Sequence, residues 1–462
     1  MGKKIQGDLT EGPILKVVAG LAMPIMASSL LSTAYNITDM AWIGTLGADA
    51  VAGVGVGGMY SWLSQGLSVL TRMGGQVHVA QSIGRNDTEK ARKYAQAALQ
   101  MVFVFGLLFG LVCVLFTGPL VGVFGISDPV TVGYAKIYMK ITCGMIVFSY
   151  INYTMTGLFT AQGDSKTPLK SNGIGLIVNM VMDPVLIMGI GPFPRLEVVG
   201  AAVATVTAQV VAMFVLIIEI FRSRKRQVNE KKEERQENIL ARVRLMEKTD
   251  RNCYTDVLRM GFPTAVQSSL YCMISMVLTR LVAGFGSGAV ATQRVGGQIE
   301  SICWNAAEGF GSAMNAFVGQ NFGAGKRDRM KKGYRISLFM VIGLGLIVTF
   351  LFVLFPEPVS RLFFHEEEVI PVMMGYLVIV GLSEPFMAVE LMSEGAIAGL
   401  GKTKICSVIS VTLTGLRIPL ALALGHTSLG LDGIWWALTL TSMLKGVVFY
   451  FTFHRQCISD VR

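Results

Sequence analysis

Two aspartates stand within strongly apolar stretches of this 462-residue chain. Asp39 lies in the run YNITDMAWIG and Asp183 in NMVMDP, where Asn179 precedes it by four residues and so shares its face of a helix. Pro184 leaves a backbone carbonyl one turn earlier without its usual donor. Neither acid has a Lys or Arg nearby in its stretch, and two such carboxylates in a low dielectric favour a proton or Na⁺. These residues predict a small polar ion pocket, unless each acid simply reaches water at the end of its helix.

Signatures of an enzyme or a metal centre are missing from the sequence. The seven cysteines are scattered without a Cys-x-x-Cys pair, and the four histidines are dispersed. Zinc-protease, nucleophile-elbow and phosphate-loop motifs are also absent. The sequence therefore predicts a protein that is not an enzyme and has no cofactor other than a coupling ion, H⁺ or Na⁺.

Apolar segments recur along the whole chain, of which 52% is hydrophobic and only 15% charged. Many approach the ~20 residues that a helix needs to cross a bilayer, and they lack the alternating pattern of a barrel strand. The predicted fold is therefore all-α and integral to the membrane, with twelve transmembrane helices. The predicted spans lie near 14–43, 51–81, 96–117, 130–161, 170–190, 199–221, 257–284, 290–320, 336–355, 369–399, 405–424 and 430–453.

Positive charge is concentrated in alternate loops. Lys and Arg crowd the segments after spans 2, 4, 8 and 10 and the segment between spans 6 and 7, whereas 44–50 and 425–433 have none. This alternation follows the positive-inside rule, so we expect both termini in the cytoplasm of a multi-pass protein in a bacterial-type inner (plasma) membrane. It also accounts for the net charge of +10 without a nucleic-acid partner.

The two halves of the chain repeat one design. A shift of 239 positions superimposes Pro24 on Pro263 without a gap across about sixty residues. The same shift pairs Gly47 with Gly286, Gln81 with Gln320, and Gly84 with Gly323. Six spans per half give both halves one orientation, which predicts two parallel six-helix lobes around a central cavity. The predicted domains are an amino-terminal lobe at 1–221, a cytoplasmic linker at 222–252 and a carboxyl-terminal lobe at 253–462.

The carboxyl half does not repeat the acids of the amino half. The position that matches Asp39 is Leu278. The half has charges of both signs instead: Arg280, Arg294, Glu300, Glu308, Glu384, Glu390, Glu394 and Arg417. Mixed signs favour internal salt bridges, and the alternative is that Glu300 or Glu390 lines the cavity and attracts organic cations. The sequence does not decide between them.

Several motifs, taken in order, carry a resemblance to a known family. DMAWIGTLGADAVAGVG ends span 1, GLFTAQGDSKTP follows span 4, and FVGQNFGAGK follows span 8. Over nearly its whole length the chain resembles multidrug and toxic compound extrusion (MATE) transporters. The resemblance implies two lobes, a large central cavity and antiport of a drug-like, often cationic, compound against H⁺ or Na⁺. It implies that the ion-coupling residues are Asp39, Asn179, Asp183 and Thr205.

Further predictions concern the substrate and the partners. The predicted substrate-cavity residues are Tyr35, Asn36, Tyr138, Asn152 and Glu300. The predicted partners are a small organic substrate and membrane lipid, and the protein is expected to be a monomer. Some relatives use an acid in span 7, but 268–282 contains no carboxylate, which shifts the expected coupling to the amino half. The alternative function is a flippase for lipid-linked oligosaccharide or peptidoglycan precursors, although spans 1–6 offer few Lys or Arg for a pyrophosphate.

Overall fold

The computed structural model describes residues 8–126, 128–191, 193–229, 238–364 and 367–459. Almost all of these residues are helical, and none of them forms a strand. The predicted all-α class is therefore confirmed.

The amino half forms eight helices, which correspond to predicted spans 1–6. They are α1 (Ile14–Gly44), α2 (Ala48–Gly84), α3 (Thr88–Leu115), α4 (Thr117–Gly122), α5 (Pro129–Gly144), α6 (Val147–Ala161), α7 (Lys166–Met188) and α8 (Glu197–Asn229). Local sequence sets several of their ends. Asp87 caps α3 by accepting from the Lys90 amide at 3.0 Å, and Gly189 ends α7 in a left-handed conformation.

After a short 3-10 turn at Ile239–Arg242, the described residues of the carboxyl half repeat this order with nine helices, because its fifth span is divided into two. Its helices are α9 (Arg251–Ala283), α10 (Ser287–Gly323), α11 (Arg327–Leu354), α12 (Pro356–Arg361), α13 (Ile370–Gly381), α14 (Glu384–Gly399), α15 (Thr403–Gly415), α16 (Arg417–Gly425) and α17 (Leu431–Ser459). Gly47 and Gly286, which the repeat superimposes, precede α2 and α10 with φ of 104° and 105°. That region of φ favours glycine, so the two turns depend on the same residue type.

Eight single helices among the described residues are both long enough and apolar enough to cross a membrane. Two bent pairs, α5 with α6 (46°) and α13 with α14 (47°), raise the number to ten. The helices α2 and α10, of 37 residues each, occupy the places of predicted spans 2 and 8 but are too polar for this criterion.

The predicted spans at 130–161 and 369–399 each consist of two helices, because each span breaks near its middle. Pro385 lies in the first turn of α14, where it can begin a helix but cannot continue one. The break between α5 and α6 has no proline; it follows Gly144.

Two compact units divide the chain within α1 and α9. One contains residues 27–262, and the other contains residues 9–26 and 263–462. The first helix of each half therefore contributes to both units. Part of the predicted linker is packed rather than free: Ile239 and Leu240 are buried, and the Ile239 amide donates to Gln162 Oε1 at 2.8 Å.

Candidate functional site

Two glycines bring α7 and α8 into close contact in the amino half. A Cβ on Gly200 would lie 2.6 Å from the carbonyl oxygen of Leu186, and one on Gly175 would lie 3.0 Å from that of Ala208. Only helices whose backbones nearly touch leave so little space. The close packing positions the α7 face with Asn179 and Asp183 against α8.

Asp183 is completely buried, and Asn179 lies one helical turn before it on the same face. The Asn179 amide donates to Asp183 Oδ1 at 3.3 Å. Turning the amide over brings its nitrogen to 2.7 Å from Asp183 Oδ2 and lets its oxygen accept from the Thr205 backbone amide at 3.2 Å. The turned orientation satisfies both ends of the side chain, so we assign it. In this orientation Asn179 links α7 to α8 at the carboxyl group.

Asp39 on α1 meets the same carboxyl group. Its side chain is 8% exposed and lies within hydrogen-bonding reach of Asp183. A carboxylate cannot donate a hydrogen bond, so the two groups can share one only if a proton is bound to the pair. Oδ1 of Asp39 has no donor among the described residues. A buried acceptor of this kind favours a proton or a cation.

Two tyrosines and a threonine surround the acids. Tyr35, one turn before Asp39 on α1, has its hydroxyl 3.3 Å from Thr205 Oγ1. Tyr138 on α5 is buried beside Asp39 and within reach of the same threonine hydroxyl. A Cβ on Gly57 of α2 would lie 3.1 Å from the Tyr138 ring, so this small residue makes room for the tyrosine.

Five other residues predicted from the sequence therefore lie together with Asp39 in the structure: Tyr35, Tyr138, Asn179, Asp183 and Thr205. Asn152 is engaged elsewhere, because its amide donates to the backbone and side-chain oxygens of Gln209 at 2.8 and 3.0 Å. The side chain of Asn36 lies outside the part of the chain that the structure describes. Glu300 belongs to the carboxyl half.

The chemistry of the group is that of a small cation site made of oxygen atoms. Carboxyl, amide and hydroxyl oxygens suit a proton or a hard cation such as Na⁺, and no thiolate or imidazole from the described part of the chain is near. Neither acid forms an ion pair with a Lys or Arg among the described residues. A mobile cation could therefore supply the missing positive charge.

The carboxyl half contains a buried ion pair that the sequence interpretation missed. Lys445 Nζ on α17 lies 2.6 Å from Glu390 Oε1 on α14, and both side chains are 6% exposed. The sequence does indicate it, because Lys445 is a lone cation within the apolar run LTLTSMLKGVVFY. The structure thus gives Glu390 an internal partner.

Two other charged residues of this half, Arg417 and Glu300, have neutral hydroxyl groups as hydrogen-bond partners. Arg417 donates to the hydroxyls of Thr441 at 3.0 Å and Ser442 at 2.8 Å. Glu300 accepts from Tyr376 at 3.2 Å, and Glu384 is completely buried with no hydrogen-bond donor for either oxygen among the described residues. The predicted internal salt bridges therefore describe this half only in part.

The sequence pattern of one protein family matches both halves. The MatE pattern covers residues 24–185 and again residues 263–423. The chain belongs to the MatE family. The two MatE matches begin at Pro24 and Pro263, the prolines that the internal repeat superimposes.

Relatives of nearly full length support this assignment. A probable multidrug resistance protein NorM of Thermotoga maritima is 27% identical, over 91% of this chain and 88% of the relative. An FAD transporter of Shewanella oneidensis is 24% identical, over 98% of this chain and 97% of that relative.

Solved MATE structures share the fold. One described as the outward-facing conformation of a multidrug resistance MATE family transporter has a TM-score of 0.89, covers 99% of both chains and is 20% identical. The predicted integral-membrane fold of two six-helix halves is thereby confirmed.

Proposed function

We propose that this MatE protein is a secondary active antiporter that exports organic, mainly cationic, drug-like compounds in exchange for H⁺ or Na⁺. The observation that carries the proposal is the buried pair of Asp39 and Asp183, which face each other without a Lys or Arg partner among the described residues. The multidrug names of several relatives support export of varied compounds.

The pair explains how the two cargoes could be exchanged. In a low dielectric both carboxylates cannot stay charged without a cation, so the site favours one bound H⁺ or Na⁺ or the positive group of a substrate. Transport is coupled only if each ligand binds the inward-facing and outward-facing states with different affinity. Asn179 and Thr205 tie α7 to α8 at the carboxyl group, and they transmit its change of charge to both helices.

Buried charge favours a cationic substrate over an anionic one. Among the described residues, four acids and two bases are buried: Asp39, Asp183, Glu384, Glu390, Arg417 and Lys445. Lys445 is already paired with Glu390. A precursor flippase, or a carrier of an anionic nucleotide like the FAD transporter relative, needs the opposite excess.

The membrane setting follows from the loops. We place both termini and the 222–252 segment in the cytoplasm because the basic loops lie on that side. The proposed unit of transport is one chain, and its partners are the small organic substrate and the surrounding lipid.

Transport in proteoliposomes tests the proposal. Uptake of a fluorescent organic cation is followed under separately imposed H⁺ and Na⁺ gradients. We expect one gradient to drive accumulation by the parent, and Asp183→Asn to remove it. Asp49→Asn, which neutralises an exposed acid at the start of α2, is the matched control and should transport normally. Accumulation by Asp183→Asn at the parental rate would refute the proposed coupling site.

A further inference from the structure

A dense group of cations stands at the start of α11. We call it the α11 patch, and it consists of Lys326, Arg327, Arg329, Lys331, Lys332 and Arg335. Asp328 is the only acid within 326–335. Four of the six, Lys326, Arg327, Arg329 and Lys332, line an open cleft together with Gly325, Asp328 and Ile14, the last from the first turn of α1. The cations thus converge on a concave surface that has one apolar wall.

Two members of the patch contact the segment that precedes α1. Lys326 Nζ donates to the Thr10 carbonyl at 3.0 Å, and Arg329 donates to the carbonyls of Glu11 and Gly12 at 2.6 and 2.8 Å. These contacts orient both side chains.

The remaining four cations form no ion pair with the described residues. Arg327, Lys331, Lys332 and Arg335 have no carboxylate within ion-pair distance in the described part of the chain. The patch therefore keeps most of its positive charge.

The internal repeat provides a comparison within the same molecule. The matching segment, 87–96, has three basic and two acidic residues. Arg92 there lies 2.6 Å from Glu89, and Lys93 lies 2.9 Å from Asp250. Both loops fall on the proposed cytoplasmic side, so the positive-inside rule applies to each of them. That rule alone does not explain why, among the described residues, the carboxyl-half loop keeps more unpaired cations than the amino-half loop, where Arg92 and Lys93 are both paired.

The face of α11 beyond the patch is apolar and open. Phe339 follows Arg335 by one turn, and its side chain is 70% exposed. Leu346 and Phe350 lie further along the same face and are 54% and 59% exposed. Gly343 lies between them, with nothing within 4 Å of a Cβ built on it. A helix face that passes from basic to apolar fits a ligand with a charged head and a hydrocarbon tail.

We propose that the α11 patch binds the phosphate headgroup of an anionic phospholipid, with an acyl chain along the Phe339–Phe350 face. The apolar face distinguishes a lipid from free phosphate, which has nothing to place there. Lys326 and Arg329 also hold residues 10–12, immediately before α1. A bound headgroup would therefore reinforce the attachment of residues 10–12 to the start of α11.

Lipid titration of the purified full-length protein tests this assignment. Phosphatidylglycerol or phosphatidylcholine is added in detergent, and bound lipid is counted by native mass spectrometry. The variant Arg327→Gln/Lys332→Gln removes two unpaired cations, and Lys166→Gln/Lys170→Gln removes the same charge from exposed sites near the start of α7. We expect phosphatidylglycerol to bind roughly tenfold more weakly to the first variant, with the control unchanged. If the first variant does not purify, Lys331→Gln/Arg335→Gln serves the same purpose.

Three results would overturn the proposal. Equal affinity of the patch variant and the control for phosphatidylglycerol would show that the patch is not the binding site. Equal binding of phosphatidylcholine and phosphatidylglycerol by the parent would remove the role of headgroup charge. Displacement of phosphatidylglycerol by millimolar inorganic phosphate would identify a site for free anions instead.

Discussion

Lys445 and Glu390 form an ion pair inside the carboxyl half, with 2.6 Å between Nζ and Oε1. They come from α17 and α14, and each side chain is 6% exposed. The pair neutralises Glu390, which the sequence left as a candidate for attracting an organic cation. Its role is therefore to join two helices, and this role has consequences for stability.

We expect Lys445→Met to lower the stability of the purified protein by about 3–5 kcal/mol, because Glu390 then stays buried without its partner. The double variant Glu390→Gln/Lys445→Met should recover much of this loss, since it leaves no unpaired charge. Fluorescence-detected size-exclusion chromatography after heating measures the midpoint temperature of thermal unfolding for each variant. Equal midpoints for the single variant and the parent would show that the pair contributes nothing.

Close packing of α7 on α8 supports a second prediction. A Cβ on Gly200 would lie 2.6 Å from the Leu186 carbonyl, so Gly200→Ala should force the helices apart and destabilise the protein by about 1–3 kcal/mol. Gly173→Ala is the control, because nothing lies within 4 Å of its Cβ. It should be neutral or up to ~1 kcal/mol more stable, since Ala favours a helix over Gly. The midpoint of thermal unfolding measures the stability of each variant, and ion-driven uptake measures its transport activity. Similar behaviour of the two variants would contradict this account of the packing.

Much of the fold could be predicted because a membrane restricts the possible structures. Apolar length and glycine punctuation located the spans and the repeat. The breaks between α5 and α6 and between α13 and α14 could not be predicted, since hydropathy is continuous across them. The division of α1 and α9 between two units was also hidden, because it depends on which helix faces pack together.

The amino-half site was predictable for a different reason. Isolated acids in apolar helices are costly, so Asp39 and Asp183 stood out, and helical spacing added Asn179. The separate partner of Asn152 could not be inferred, because it depends on where Gln209 lies in space. Lys445 could have been found by the same search for isolated charges that identified the acids.

Membrane orientation can be tested by labelling single cysteines introduced into a variant without its seven native ones. We predict that an impermeant thiol reagent on intact cells reaches Thr45→Cys and Ser428→Cys but not Met246→Cys, because the loops at 44–50 and 425–433 lack basic residues. Permeabilised cells should show labelling of all three, which controls for accessibility. Labelling of Met246→Cys alone on intact cells would mean that the orientation is reversed.

Finally, Asp39 and Asp183 should behave as one unit. Each of Asp39→Asn and Asp183→Asn removes the possibility of exchanging a charge at the pair, so each should reduce gradient-driven efflux to the level of empty liposomes. The double variant should be no worse than either single variant, since residues that act together are not additive. Substrate binding to the purified variants, measured by fluorescence polarisation, should lose the pH or Na⁺ dependence that the parent shows.

The exposed-site variant Asp49→Asn controls for loss of one negative charge. If both single variants still drive uphill efflux at parental rates, coupling occurs elsewhere. Glu384, buried and without a donor in the described structure, is then the next residue to substitute.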